Sequence, residues 1–266
     1  MNPIKVYICG VGGKMGREVV RAVTGQEDMM LAGGYDVAFT GMDLGKLGGC
    51  GTAGMVVDKE LAQGLDDSRP DVVVDFTHAG ALRKNLPLYF ERKTSLVIGT
   101  TGLTHEELED LSEVCEKQSL GCLVAPNFAI GAVLMMRFSR TAARYMEGAE
   151  IIEFHHTGKK DAPSGTAMRT AEGIGDEAGF LDRPEHGSEL VSGARGATVG
   201  PVKIHSVRLS GFMAHQEVIF GGDGQTLTIR HDSLDRSSFM PGVVLAIRHV
   251  YRNKGCVVGL DSIMEW

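Results

Sequence analysis

One short stretch near the middle of the chain, EFHHTGKKDAPSGTA at residues 153–167, concentrates groups that bind anions and transfer protons. Two adjacent histidines are followed by two lysines and then by a Pro-Ser-Gly-Thr turn. If residues 151–156 form a strand, successive side chains alternate between its faces. Glu153 and His155 would then share one face and His156 would lie on the other, so the two histidines are expected to have different roles.

The chemistry expected of this stretch is the binding of a carboxylate and the delivery of a proton. Imidazole titrates near neutral pH and is the usual general acid in such sites. The two lysines add fixed positive charge. Ser164, Gly165 and Thr166 begin a predicted helix, whose N–H groups and hydroxyls favour a carboxylate. The structural alternative is that Ser164 only caps that helix and that the lysines lie in a solvated loop.

A glycine-rich turn, CGVGGKMGR at residues 9–17, follows a predicted strand over residues 4–9 and precedes a predicted helix. Glycines let the backbone approach a pyrophosphate, and a helix N-terminus favours an anion. The spacing is Gly10, Gly13 and Gly16, so a strict G-x-G-x-x-G is not met. The alternative is a glycine turn needed only for tight packing of strand and helix.

Asp36 ends the predicted second strand, at residues 29–35, where an acidic residue accepts hydrogen bonds from the ribose hydroxyls of a dinucleotide. Its carboxylate would repel a 2′-phosphate, and Val37 supplies no positive charge to offset that. We therefore expect NADH to be preferred over NADPH. A P-loop is excluded, because Lys14 is followed by Met15 and not by Ser or Thr.

The elements that must position these residues alternate along the first half of the chain. Apolar runs at 71–77, 95–102 and 121–127 indicate buried parallel strands, and Thr104 with Glu107 forms a capping box for a helix. This pattern predicts a Rossmann-like doubly wound sheet. After it come predicted helices at 132–146 and 165–178, a long loop at 181–200, and three runs that resemble an antiparallel meander: 201–209, 215–222 and 225–233.

The fold class predicted is therefore α/β, with a second α+β domain that carries a mixed or antiparallel sheet. We assign residues 1–127 and 236–266 to a dinucleotide-binding domain. We assign residues 128–235 to a substrate-binding and oligomerisation domain. A helix near 238–253 is expected to pack back on the first domain.

The bulk composition of the 266 residues excludes several classes of function. A net charge of -7 argues against a general nucleic-acid binder, and the longest apolar run, residues 129–136, is too short for a membrane span. Five cysteines without C-x-x-C spacing indicate reduced thiols in a cytoplasmic protein. The histidines lack zinc-protease spacing and the lysines beside them disfavour a cation, so no metal is expected.

The motif at 153–167 resembles the E-x-H-H-x-x-K-x-D-A-P-S-G-T-A signature of the dihydrodipicolinate reductase family. The glycine turn, the segments DFT and GTTG, APNFAIG and IHSVRLSGFMAHQEVIFG are similar to other blocks of that family. The resemblance implies a nicotinamide-dependent reduction of a cyclic, unsaturated dicarboxylate to tetrahydrodipicolinate, in lysine and diaminopimelate biosynthesis.

Residue roles carry over from the family at matching positions. His155 is implied as the general acid, and Lys159 as a residue that binds substrate and supports proton delivery. The other substrate contacts implied are His156, Ser164, Gly165, Thr166 and Thr101. The cofactor contacts implied are Gly10, Gly13, Lys14, Met15, Gly16, Asp36, Gly99, Thr100, Thr101, Ala125, Pro126, Asn127 and Phe128.

The family also implies a homotetramer formed through the sheet of the second domain, and closure of the two domains on ligand binding. Members that use NADPH well often carry an arginine where this chain has Val37. NADPH use is therefore secondary here, with Lys14 as partial compensation. Two other functions stay open at this point: another nicotinamide-dependent dehydrogenase of a small carboxylate, and a non-catalytic NADH-binding regulator. The sequence assigns no role to four further residues of the second domain, which are His205, Arg208, His215 and His231.

Overall fold

Two compact units divide the chain in the computed structural model, which describes residues 2–180 and 188–265. The first unit consists of Met1–Phe128 and Arg236–Trp266, and the second of Ala129–Asp235. Phe128, which the sequence analysis placed in the second domain, therefore belongs to the first unit.

The first unit alternates strands and helices, and it receives the last helix and strand of the chain. Its elements, numbered in chain order through the whole protein, are β1 (Ile4–Cys9), α1 (Lys14–Thr24), β2 (Met29–Tyr35), α2 (Leu44–Gly48), α3 (Leu61–Ser68), β3 (Val72–Asp75), α4 (Ala79–Glu91), β4 (Ser95–Ile98), α5 (His105–Gln118), β5 (Gly121–Val124), α8 (Met240–Arg252) and β11 (Gly255–Val258).

Six parallel strands form the sheet of this unit, in the order β2-β1-β3-β4-β5-β11. Helices α1 and α8 pack on one face, and α3, α4 and α5 on the other. All four residues of β3 (Val72–Asp75) are buried, because a parallel sheet is covered on both faces. Burying each of its valines contributes about 1.5–3 kcal/mol. The predicted doubly wound sheet is confirmed.

The strand order reverses between β1 and β3, and this position matters for function. From β1 the chain continues outward to β2, and from β3 it continues in the opposite direction to β4 and β5. Ligands of open parallel sheets bind at such a reversal, beyond the carboxyl ends of the strands. The glycine turn follows β1 and the DFT segment follows β3, so both lie at this edge.

The second unit places two helices on one face of a five-stranded sheet. Its elements are α6 (Ile130–Ala143), β6 (Gly148–His155), α7 (Gly165–Glu177), β7 (Ala197–Val199), β8 (Val202–Arg208), β9 (Ala214–Gly222) and β10 (Gln225–Ser233). Buried and partly exposed residues alternate along β6 and β9, and the buried side chains pack against α6 and α7. This is the period of a sheet with one covered face.

The sheet of the second unit is mixed, as predicted. Of the predicted meander, β9 and β10 pair antiparallel as expected, but the expected pairing of β8 with β9 is wrong. The strand order is β10-β9-β6-β8-β7, so β6 lies between β8 and β9, and β6 and β8 are parallel. Runs of β-branched residues identify strands but do not identify their partners. Helix α7 connects β6 to β8 as a crossover, which parallel pairing requires. The predicted loop at 181–200 contains β7; its residues 181–187 lie outside the described part of the chain.

Candidate active site

The glycine turn after β1 is built so that only glycine fits at two of its positions. Gly10 has φ +79°, and a Cβ there would lie 2.7 Å from the carbonyl oxygen of Phe76. A Cβ on Gly16 would lie 2.2 Å from the carbonyl oxygen of Gly10. Close packing alone therefore also explains Gly10 and Gly16, in line with the alternative of a glycine turn needed only for the packing of strand and helix.

The start of α1 nevertheless has the properties of an anion site. Gly13 precedes the helix, and among the described residues no side chain hydrogen-bonds to the N–H groups of its first turn as a cap. No acidic residue lies in that turn. Lys14 is exposed and Met15 is half-buried there. Uncapped N–H groups and the helix dipole together attract negative charge.

Asp36 lies directly over the glycine turn. Its carboxylate accepts hydrogen bonds from the backbone N–H of Gly12 at 3.0 Å and from that of Ala38 at 2.9 Å. The Phe39 ring packs so closely on Gly12 that a Cβ there would lie 2.0 Å from it. Arg17 donates to the Gly12 carbonyl at 2.9 Å, and its guanidinium lies 5.1 Å from the centroid of the Phe39 ring.

Two residues of this arrangement, Phe39 and Arg17, were missed by the sequence analysis. No spacing rule pairs them, because their contact depends on the path of the chain after β2. Val37, next to Asp36, is 82% exposed and adds an uncharged, apolar side chain there.

A buried carboxylate, Asp75, holds together the segments that follow β3 and β4. Its Oδ1 accepts from the hydroxyls of Thr77 at 2.6 Å and Thr100 at 2.9 Å. Its Oδ2 accepts from the hydroxyl of Tyr89 at 2.8 Å. Burial raises the pKa of Tyr89 well above its usual range, so that phenol remains a donor. Since the Thr100 hydroxyl donates to Asp75, its proton is already committed to that carboxylate.

Aromatic rings bring together the segments that follow β3, β4 and β5, at the carboxyl edge of the sheet. A Cβ on Gly99 would lie 2.0 Å from the ring of Phe76, and this ring lies 5.6 Å from that of Phe128. Ala125 and Phe128 are buried, whereas Thr101 and Pro126 are exposed and Asn127 is half-buried. Every predicted cofactor residue thus belongs to the first unit and follows one of the strands β1, β2, β4 or β5.

The second unit carries the opening motif, and its centre is a buried ion cluster. The Glu153 side chain is 0% exposed and contacts Nδ1 of His155, which is 13% exposed. Arg208, from the neighbouring strand β8, donates to both oxygens of Glu153, at 2.9 and 2.8 Å. The backbone N–H of Ser164 adds a fourth contact at 3.3 Å.

Glu153 is therefore an ionised carboxylate in the interior of the unit. Burial alone would raise its pKa, but hydrogen bonds from His155 and Arg208 outweigh burial and hold the pKa of Glu153 at about 2. A carboxylate at Nδ1 orients an imidazole and assigns a proton to that nitrogen, which leaves Nε2 for chemistry. The sequence analysis placed Glu153 and His155 on one face but named neither Glu153 nor Arg208 as a site residue.

The turn after β6 contains the other predicted substrate residues. Lys159 Nζ bonds to both carboxylate oxygens of Asp161, at 2.8 and 2.9 Å, while His156 is exposed. The Ser164 hydroxyl accepts from the N–H of Ala167 at 3.2 Å and is the cap of α7. Ser164 thus caps the helix through its hydroxyl oxygen, and its O–H proton remains available as a donor. Gly165 and Thr166 form the first turn of α7.

The histidines without an assigned role divide between two faces of the sheet. Nε2 of His205 bonds to Glu150 at 2.8 Å, and Nδ1 of His215 bonds to Asp232 at 2.7 Å. His231 packs against Gly131 of α6, and burial lowers the pKa of His231. All three histidines therefore have partners within the second unit, which gives each of them a structural role.

Two further features concern function as a whole. Among residues 2–180 and 188–265, no helix is long and apolar enough to cross a membrane. The same residues contain no group of three or more His, Cys, Asp or Glu side chains arranged to hold a metal ion.

Comparison with known proteins identifies the family. The model of the dihydrodipicolinate reductase N-terminus matches residues 4–128, and that of its C-terminus matches residues 131–264. A 4-hydroxy-tetrahydrodipicolinate reductase from Moorella thermoacetica is 48% identical over 99% of this chain and 98% of its own length. Another, from Gloeothece citriformis, is 45% identical over 99% and 98%.

Solved structures agree. A dipicolinate-bound dihydrodipicolinate reductase from Paenisporosarcina sp. TG-14 matches with a TM-score of 0.86 and 42% identity, over 98% of this chain and 100% of its own. An amine dehydrogenase from Mycobacterium smegmatis, 15% identical with a TM-score of 0.66 over 97% of this chain and 95% of its own, shares the fold. The resemblance drawn from the sequence is confirmed, and the chain belongs to the dihydrodipicolinate reductase family.

Proposed function

We propose that this protein uses a nicotinamide cofactor to reduce the cyclic dicarboxylate derived from 4-hydroxy-tetrahydrodipicolinate to tetrahydrodipicolinate. This is a step of lysine and diaminopimelate biosynthesis. The observation that carries the proposal is the buried cluster of Glu153, His155 and Arg208 at the head of the family signature. It holds an imidazole against a permanent carboxylate, which is the arrangement a proton donor needs.

The residues of the first unit fit a dinucleotide. The turn at Gly10 and Gly16 leaves no room for a Cβ, no side chain within residues 2–180 and 188–265 caps the start of α1, and Asp36 stands at the end of β2. The glycine turn and the start of α1 favour a pyrophosphate, and Asp36 favours a ribose. When bound there, NADH supplies the hydride. The backbone of the segments after β4 and β5 would line the rest of the site, including Gly99, Thr100, Thr101, Ala125, Pro126, Asn127 and Phe128.

His155 is the proposed general acid. Its Nδ1 is held by Glu153, so Nε2–H is the proton that can be delivered to the ring atom next to the carbon that receives hydride. Arg208 donates to both oxygens of Glu153, and with the contact from His155 it keeps this carboxylate ionised.

Substrate carboxylates are proposed to bind at Lys159, His156 and the first turn of α7. Lys159 already holds a carboxylate, that of Asp161, in a two-oxygen contact. A dianionic substrate can replace this exposed partner. The Ser164 hydroxyl accepts from the N–H of Ala167 and keeps its O–H to donate to a carboxylate, so Ser164, Gly165, Thr166 and the dipole of the helix would act together.

NADH is proposed as the preferred cofactor and NADPH as a secondary one. A 2′-phosphate next to Asp36 would meet a carboxylate that two backbone N–H groups hold in place. Val37 offers no cation, and Arg17 is committed to the Gly12 carbonyl and to the Phe39 ring.

A cytoplasmic homotetramer is proposed as the working form. The face of the second sheet opposite α6 and α7 carries paired charges, such as Glu217 with Arg230 and Glu150 with His205. Partly exposed apolar side chains, including Ile152 and Phe154, lie among these pairs. A mixed surface of this kind is typical of a subunit interface.

The deciding experiment is NADH oxidation in the presence of the product of a dihydrodipicolinate synthase reaction. The intact protein should turn over. His155→Ala should lose about 10²-fold or more in turnover, the contribution of a general acid. Its affinity for NADH, measured by fluorescence, should be unchanged.

Two outcomes would favour the other functions left open by the sequence. Tight NADH binding without turnover on this substrate, but with turnover on other small carboxylates, would indicate a different dehydrogenase. Binding without turnover on any of them would indicate a regulator. Unchanged turnover in His155→Ala would show that the acid is misassigned.

A further inference from the structure

Three cysteines meet in the core of the first unit, away from the glycine turn. Cys115 lies on α5, Cys122 on β5 and Cys256 on β11. Strands β5 and β11 are parallel neighbours, and Cys256 lies directly opposite Cys122 in their register. Cys115 and Cys122 are buried in the core that α5 forms with the sheet, and Cys256 packs against that core.

The three thiols interact with one another. The register of β5 and β11 sets Cys256 beside Cys122, and α5, which carries Cys115, packs against both strands. The neighbouring thiols of Cys115 and Cys122 lower the pKa of Cys256, and neighbouring thiols together with burial raise the pKa of Cys122. A thiolate at Cys256 is the more reactive nucleophile, because the thiolate and not the thiol attacks oxidants.

The five cysteines differ in their exposure to solvent. Cys256 is partly exposed, whereas Cys115 and Cys122 are buried. Cys50 is exposed, and its sulfur contacts the carbonyl of Gly48. Cys9 is buried in the sheet. Within residues 2–180 and 188–265, Cys256 combines access to solvent with thiol neighbours.

We propose that Cys256 is a peroxide-sensitive thiol that forms a disulfide with Cys122. The Cys256 thiolate attacks one oxygen of hydrogen peroxide, an S–O bond forms, the O–O bond breaks, and hydroxide leaves as water after taking a proton. Cys122 then attacks the sulfenic sulfur, an S–S bond forms, the S–O bond breaks, and a second water leaves. Two thiols are oxidised by two electrons and one peroxide is reduced.

Strand geometry favours Cys122 over Cys115 as the partner. Paired residues of neighbouring strands lie about 4.8 Å apart, within the Cα separation of about 4.4–6.8 Å that disulfides span. The bond would link the final strand of the chain to β5. Since β5 leads directly into Ala125, it would fix the base of a segment proposed to line the cofactor site.

The test is thiol mapping on the intact, unmodified protein. The folded protein is treated with hydrogen peroxide, remaining thiols are alkylated with one reagent, and disulfides are then reduced and alkylated with a second before peptide mass spectrometry. Cys256 and Cys122 should carry the second label together. The free thiol of Cys256 should disappear at least ~10-fold faster than that of Cys9, and dithiothreitol should restore it.

Single serine variants assign the pair. Cys256→Ser and Cys122→Ser should each abolish the disulfide, whereas Cys115→Ser and the control Cys50→Ser should retain it. A disulfide that survives in Cys256→Ser overturns the proposal, and so does a wild-type protein in which Cys256 is overoxidised while Cys122 stays free. If Cys115→Ser alone removes the bond, the assigned partner is wrong.

Discussion

Replacing Glu153 with glutamine tests the proposed origin of the proton donor. Glutamine keeps the shape of the side chain but removes the charge that His155 and Arg208 share. The amide can accept with one oxygen only, so either Nδ1 of His155 or the guanidinium loses its partner. We expect the imidazole to lose its fixed orientation and the partly buried guanidinium of Arg208 to lose its counter-charge.

The magnitude follows from the pKa of Glu153. Burial raises this pKa and hydrogen bonds from His155 and Arg208 lower it, to a net value of about 2. An ordinary glutamate titrates near ~4.3, and each unit of difference corresponds to about 1.36 kcal/mol. The ionised carboxylate thus stabilises the fold by about 2–3 kcal/mol, the lower end allowing for water that reaches Arg208.

The sign of the pH dependence follows from the same values. Because the folded pKa is depressed, this stabilisation is fully present above pH ~4.3, where the unfolded chain is also ionised. It is lost as the pH falls toward the folded value of about 2. Glu153→Gln should therefore lower the free energy of unfolding by about 2–3 kcal/mol at pH 7. The difference from wild type should shrink below pH ~4.

Urea unfolding at pH 7 and near pH ~3, between the unfolded and folded pKa values of Glu153, measures the effect on stability, and steady-state turnover measures the effect on catalysis. A fall of about 10–100-fold in kcat is expected, since a misoriented general acid keeps only part of its contribution. Glu150→Gln is the matched control. Glu150 lies on the same strand and also contacts a histidine and an arginine, His205 and Arg195, but it is half-exposed. Its replacement should cost less than about 1 kcal/mol and leave kcat unchanged.

A specific result would refute this reasoning. If Glu153→Gln loses stability but keeps the kcat and the pH profile of wild type, Glu153 is only structural and His155 does not depend on it. If stability is also unchanged at pH 7, the carboxylate is not the buried, ionised group described here.

Three other substitutions test the remaining assignments. Lys159→Ala should raise KM and lower kcat together, by about 10–100-fold in kcat/KM, whereas the control Lys160→Ala, at an exposed lysine, should change neither constant. If Lys159→Ala changes only the affinity for NADH, the assignment of Lys159 to the substrate is wrong. Asp36→Ser combined with Val37→Arg should raise the ratio of kcat/KM for NADPH to that for NADH about 10-fold or more. An unchanged ratio would show that the 2′-phosphate does not bind beside residues 36 and 37. Gly16→Ala should cost about 1–3 kcal/mol and abolish NADH binding, measured by thermal unfolding and fluorescence, whereas a methyl at Gly148 meets open space.

Much of the first unit was predictable because its signals are local. The strand at 4–9, the second strand at 29–35 and the Thr104–Glu107 capping box are observed as predicted. Each depends on residues close together in sequence, such as a run of buried β-branched side chains or a cap three residues from its partner.

The pairing of the second sheet was not predictable in the same way. Strand β6 lies between β8 and β9, which are later in the chain, and hydrophobic alternation gives each strand a face without naming its neighbours. The same limit hid Arg208. It reaches Glu153 only because β8 runs parallel to β6 and places Arg208 opposite His155. The positions of Phe39 and Arg17 over the glycine turn likewise depend on the path of a loop.

The strengths of two ion pairs in the second unit suggest how the site separates structure from binding. The pair of Glu153 and Arg208 joins a carboxylate that is 0% exposed to a guanidinium on a side chain that is 19% exposed, and removing the charge of Glu153 costs about 2–3 kcal/mol. The pair of Lys159 and Asp161 is largely exposed on the side of Asp161, and pairs of that kind contribute about 0–1 kcal/mol. Arg208 also donates to the backbone carbonyl of Asp161 at 2.6 Å, so the buried pair fixes the turn that presents Lys159. A substrate carboxylate can therefore take Lys159 from Asp161 at little cost, while His155 keeps the partner that orients it.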